Sequence, residues 1–85
     1  GPGGHYVLQL NQYSSPDGKD VGNYSISYLY TATGKHPWGD GSVKKTSQKN
    51  VYRLGKMKMK VFKKKVVIKN SDAAGVYKLK KRYYS

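Results

Sequence analysis

The chain has 85 residues, with 17 Lys and Arg against four Asp, no Glu and no Cys, for a formal net charge of +13. That length supports one small domain with a modest core, and the lack of cysteine excludes disulfides and thiolate metal sites. No apolar run approaches the roughly 18 residues of a membrane-spanning helix, and a strand-prone apolar set without Glu argues against a helical protein.

The charge is uneven along the chain. Residues 1–43 carry Lys19 and Lys35 against Asp17, Asp20 and Asp40, a net of −1. Residues 44–85 carry fifteen basic side chains against Asp72 alone, a net of +14. A field of one sign repels itself, so a polyanionic partner is the natural inference. The opening Gly1-Pro2 resembles a protease-cleavage scar. Residues 1–4 are therefore set apart as unstructured, and 5–85 read as a single basic β domain. The native start is hidden, which leaves secretion open.

His5 to Asn11 reads as a strand, with Tyr6, Leu8 and Leu10 on one face. Ser14-Ser15-Pro16-Asp17-Gly18 is a turn: Pro presets φ, Asp closes on its own backbone and Gly tolerates positive φ. Tyr24 to Thr31 alternates Tyr24, Ile26, Tyr28 and Tyr30 against Ser25 and Ser27, so the two strands form a hairpin. Ala32 to Ser42 has no period and holds Pro37 and three Gly; it reads as a loop. Val43, Ser47, Val51 and Leu54 share a helical face, with Ser42 as a possible N-cap and Gly55 at C′, which points to a short helix near 43–50 or an irregular segment, followed by a strand starting near Asn50 or Val51.

From Lys56 to Lys69, lysine alternates with Met57, Met59 and Val61, a period of two. After Val61 the register slips, since Val66 and Ile68 have the opposite parity. Lys63 to Lys65 offers no Gly, Asn, Asp or Pro for a tight turn, so a bulge in one long bent strand is expected. A turn over residues 70–75 leads into a last strand, Val76 to Tyr84. The expected fold is mainly β: a small, strongly curved antiparallel sheet or partly open barrel of about four or five strands.

Metal chemistry is not expected, nor any cofactor. Turn chemistry explains Asp17, Asp20 and Asp72, and His36 and Asp40 have no evident third ligand. Metal-independent RNA cleavage needs a proton acceptor, a proton donor and cations for the phosphorane. His36 is the candidate acid or base, with Lys44, Lys45 or Arg53 beside the phosphate; an acidic inhibitor protein would then be a partner.

Binding alone asks for less. Lys44, Lys45, Arg53, Lys56, Lys58, Lys60, Lys63, Lys64, Lys65, Lys78, Lys80 and Arg82 are the candidate phosphate contacts, with Tyr83 as a stacking aromatic. Fifteen of the seventeen cations are Lys, which suits diffuse phosphate contacts rather than bidentate base readout. The leading expectation is low-specificity nucleic-acid binding. The same surface suits anionic envelope polymers or lipids, and the composition has the look of a secreted antimicrobial or toxin domain.

Overall fold

Hairpins carry the chain from end to end. In the computed structural model, which describes residues 4–80, seven strands follow one another: β1 (Gly4–Gln12), β2 (Asp20–Tyr30), β3 (Gly34–Lys45), β4 (Val51–Leu54), β5 (Met57–Val61), β6 (Lys65–Lys69) and β7 (Gly75–Lys78). Each pairs antiparallel with the next, in sheet order β1 to β7. Tyr6 on β1 and Tyr77 on β7 pack against the same core cluster, so the sheet curls into a nearly closed barrel. Among the described residues there is no helix, hence none long and apolar enough to cross a membrane.

The mainly β class stands, but the strand number is seven rather than four or five, and three local expectations are corrected. The stretch Lys56–Lys69 is a hairpin, not one bulged strand. Val61 pairs with Val66 and Met59 with Ile68. Each pair joins an odd position to an even one, so the parity slip is the signature of chain reversal. The Phe62 N–H donates to the Lys65 carbonyl at 2.9 Å, closing a two-residue turn of Lys63 and Lys64. Among the described residues, positive φ outside glycine occurs only at Asn50 and Asn70. The Lys63-Lys64 turn therefore needs neither Gly nor Asn. It is held by its strands and by the Leu79 N–H, which donates to the Lys64 carbonyl at 2.8 Å.

The segment read as a loop is the twelve-residue strand β3. Two of its glycines stand in register with large residues of β2. Gly39 pairs with Ile26 and Gly41 with Tyr24, and a Cβ on Gly41 would stand 3.2 Å from the Tyr24 ring. Alternation was masked because the inward positions carry no side chain. Trp38 interrupts the ladder as a bulge: Ile26 pairs with Gly39 and Ser27 with Pro37, leaving Trp38 between them.

The expected helix near 43–50 is instead the end of β3 and a turn. Val43 and Leu54 face each other across the β3–β4 pair, so their helical spacing reflects two strands. The Thr46 hydroxyl donates to the Val51 carbonyl at 2.7 Å, and Asn50 takes φ 64°. Gly55, with φ 61°, turns β4 into β5. Strand β1 also takes in Gly4, which pairs with Tyr30.

The main core cluster lies on the inner face: Tyr24, Ile26, Val43, Leu54, Met57, Met59 and Ile68, plugged by Ala73 from the β6–β7 connection; Val51, opposite Lys60, is also buried. The Tyr77 hydroxyl donates to the Ala73 carbonyl, and burial pushes this phenol above its ordinary pKa, keeping it a donor. The β1–β2 turn forms as expected. The Ser15 hydroxyl (2.6 Å) and the Lys19 N–H (3.0 Å) donate to Asp17, and the Ser15 bond first, then the Lys19 N–H, lower that carboxyl's pKa.

The Asn50 turn separates the observed connection from a helix. Asn50→Ala is expected to destabilise the fold by roughly 1 kcal/mol, because Ala keeps the β-carbon at positive φ without the polar side chain that eases Asn into it, whereas Asn50→Gly stays near wild type. A helix would order these two variants the other way. Urea unfolding of the pair reads the difference.

Candidate functional site

Because residues facing each other in a ladder point to the same side, the register says which cations stand together. Met57 and Met59 are buried while Lys58 and Lys60 are exposed, which fixes the outer face of β5. Across β3, β4, β5 and β6, Lys44 pairs with Arg53, Arg53 with Lys58, and Lys58 with Lys69. This is one transverse row of four cations, spaced by the roughly 4.8 Å between strands. Toward the Lys63-Lys64 turn the next row is Val51, Lys60, Val67 and Val76. Beyond it stand Phe62, Lys65 and Lys78.

The outer face of the other half is different in kind. Along β1 and residues 21–30 of β2 there is no charged side chain other than His5, if protonated. Its outward positions include Val7, Gln9, Asn11, Asn23 and Ser25, with an Asn11–Asn23 amide bond at 2.8 Å. The barrel thus carries its charge on one flank, from β3 to β7.

One acid forms an ion pair with that flank, and a second, Asp40, lies on β3 itself opposite Ser25. Lys44 Nζ lies 2.6 Å from Asp20 Oδ1, the only ion pair found among the described residues. The hydrogen bond to Asp20, and then its charge, raise the Lys44 pKa. The pairing is present below the ordinary lysine range and is lost as pH rises through that raised value. Both groups are solvent-facing, so the bridge is chiefly a local neutraliser of one end of the cationic row.

The remaining expected site residues are placed as follows. Lys56 lies in the β4–β5 turn beside Gly55, and Lys63 and Lys64 form the β5–β6 turn. Lys45 closes β3 opposite Tyr52, on inward parity but exposed. Lys80 follows β7 and is exposed. Arg82 and Tyr83 lie outside the described residues. Lys69 completes the transverse row, although the expected site set did not contain it. Phe62 was missed too; its even number, shared with Lys58 and Lys60, was the available signal.

His36 is elsewhere. It pairs with Tyr28 near the start of β3, while Lys44 is eight residues further along, roughly 26 Å at about 3.3 Å per residue. The structure does not bring His36 together with Lys44, Lys45 or Arg53. Its Nε2 lies 2.9 Å from the Thr33 hydroxyl, and its ring meets Tyr30 edge-on at 5.2 Å. It thereby joins an aromatic group in which Tyr28 stacks on Tyr30 and Tyr6, and Tyr6 on Trp38. Among the described residues, no three His, Cys, Asp or Glu side chains gather as metal ligands.

Comparison with protein-family models, curated proteins and solved structures finds no match to this chain.

Directly opposed like charges destabilise a sheet, and Lys58 is flanked on both sides by cations. Lys58→Gln is therefore expected to raise the melting temperature by a few degrees at low ionic strength. The gain should vanish near 1 M salt, where the screening length is about 3 Å. Thermal unfolding at two salt concentrations checks it.

Proposed function

We propose that the β3–β7 flank binds phosphate-bearing polyanions with low sequence specificity, nucleic acid being the leading case. The observation that carries this reading is the set of directly opposed cation pairs: Lys44–Arg53, Arg53–Lys58, Lys58–Lys69 and Lys65–Lys78. Each is an arrangement that a sheet avoids when only its own stability is at stake. A chain of phosphates laid across the strands would meet several ammonium groups at once and release its counterions. Lysine offers point charges on flexible stems, which suits a backbone more than a base edge. Arg53, inside the transverse row, is the one described guanidinium on this flank and can fork onto a phosphate.

The uncharged outer face of β1 and residues 21–30 of β2 gives the reading its internal control. Binding is confined to one flank, so substitutions at Gln9 or Ser25 leave affinity unchanged. Removing Lys58, Lys60 or Lys69 weakens binding to every phosphate polymer alike.

The test is a titration of the full chain against generic RNA and DNA at several salt concentrations. Each Lys→Gln change on the flank is expected to lower the slope of log affinity against log salt by about 0.7 to 0.9. Asp20→Asn, which frees Lys44, is expected to strengthen binding and steepen the slope by up to the same amount. No binding at low salt, or an affinity indifferent to salt, overturns the proposal. If binding is instead confined to anionic vesicles or wall polymers, the flank serves an envelope and the nucleic-acid assignment falls.

A further inference from the structure

Phe62 is an exposed aromatic set among the cations. It retains 42% of its surface at the end of β5, on the outer parity of Lys58 and Lys60. The Lys60 ammonium lies 5.5 Å from its ring centroid and that of Lys65 lies 5.1 Å away. Lys78 stands beyond Lys65 in register, and Lys63 and Lys64 form the adjoining turn. The other aromatic residues of β4–β7 turn the opposite way. Tyr52 pairs with Met59 on the inner face, and Tyr77 packs against the core with its hydroxyl on the Ala73 carbonyl.

We infer that Phe62 is a stacking platform for an unpaired base, so that the ligand of the cationic flank is single-stranded nucleic acid; this rests on the phosphate-binding reading above. A bare lysine surface does not distinguish a single strand from a duplex. A ring does, because only an unpaired base offers its π-face to the protein. The ammonium groups of Lys60 and Lys65 reach the ring through flexible stems and stay within reach of the phosphates on either side of a stacked base. Stem and ring together cover the apolar surface that the free protein leaves to water.

A lipid surface is the competing occupant, since Val76 and Leu79 are also exposed nearby. The geometry disfavours it. The hairpin ends in Lys63 and Lys64, so entering a bilayer tip-first would take two ammonium groups in ahead of the ring. A strand of nucleic acid lying across the face makes no such demand.

The experiment compares Phe62→Ala and Phe62→Leu with wild type in the full chain, against oligouridylate, an RNA duplex of equal length, inorganic polyphosphate and anionic phospholipid vesicles. Circular dichroism and melting temperature confirm that each variant is folded. Phe62→Ala is expected to lose about 5- to 100-fold in affinity for oligouridylate, with its salt slope unchanged. Polyphosphate and duplex affinities should stay within twofold of wild type. Phe62→Leu, which keeps apolar bulk without a π-face, should lose most of the same amount. An equal effect on all phosphate probes, or none on oligouridylate, overturns the inference while phosphate binding stands. A loss confined to vesicles, or full rescue by Leu, assigns the ring to lipid and also overturns it. If wild type binds neither RNA nor polyphosphate at low salt, the underlying reading itself falls.

Discussion

A single sheet curled on itself has one inside, and every strand must commit one parity to it. That constraint governs the whole described chain. No second layer of helices covers the outer face, so the inner positions supply the main core, from Tyr24 and Ile26 through Val43 and Leu54 to Met59 and Ile68. A slip of one residue would turn the inner set outward and lysines inward, so register is strongly specified where Met57 and Met59 alternate with Lys58 and Lys60. The inner face is also where space is rationed. Tyr24 reaches across β3 because Gly41 has no side chain there, and its hydroxyl stands 3.3 Å from where a Cβ on Gly55 would be.

The same constraint made much of the fold legible and hid the rest. The β1–β2 hairpin was readable because both strands alternate and the turn carries Pro16, Asp17 and Gly18, whose preferences all agree. Strand β3 was not, because pattern reading counts side chains. Gly39 and Gly41 are inward positions with no side chain to count, Gly41 leaving space for the Tyr24 ring, and the bulge at Trp38 breaks the period once more. The β5–β6 reversal failed for a different reason. Composition rules for tight turns describe those needing positive φ, and Lys63-Lys64 adopts none. The parity slip is visible in the sequence, but a bulge and a reversal produce the same slip, and only pairing distinguishes them.

The site was legible in kind more than in arrangement. Lysine alternation from Lys56 to Lys60 announced an outer cationic face. Which lysines oppose which depends on register between strands, so the Lys44–Arg53–Lys58–Lys69 row could not be read along the chain. The same dependence separates His36 from the cations with which it was grouped. Lys44, the nearest of them in sequence, is eight residues away, and on an extended strand that spacing spans most of β3.

Stability and binding meet on this flank. The core is small, so the net stability left after conformational entropy is a small difference of large terms. Opposed ammonium groups subtract from that difference in the free protein. Asp20 offsets the repulsion at one end only, through Lys44. A ligand that binds the folded flank and not the unfolded chain stabilises the fold by mass action, and a polyanion does so while relieving the repulsion that the free protein bears. The unfolded chain carries the same charges, but it holds them farther apart and gains less from one strand of phosphates. Folding the meander is what concentrates Lys44, Arg53, Lys58 and Lys69 into a row spaced about 4.8 Å between strands and sets Lys65 opposite Lys78. The barrel interior, with its buried Leu54 and Ile68, is therefore the part of the molecule that builds the cationic face.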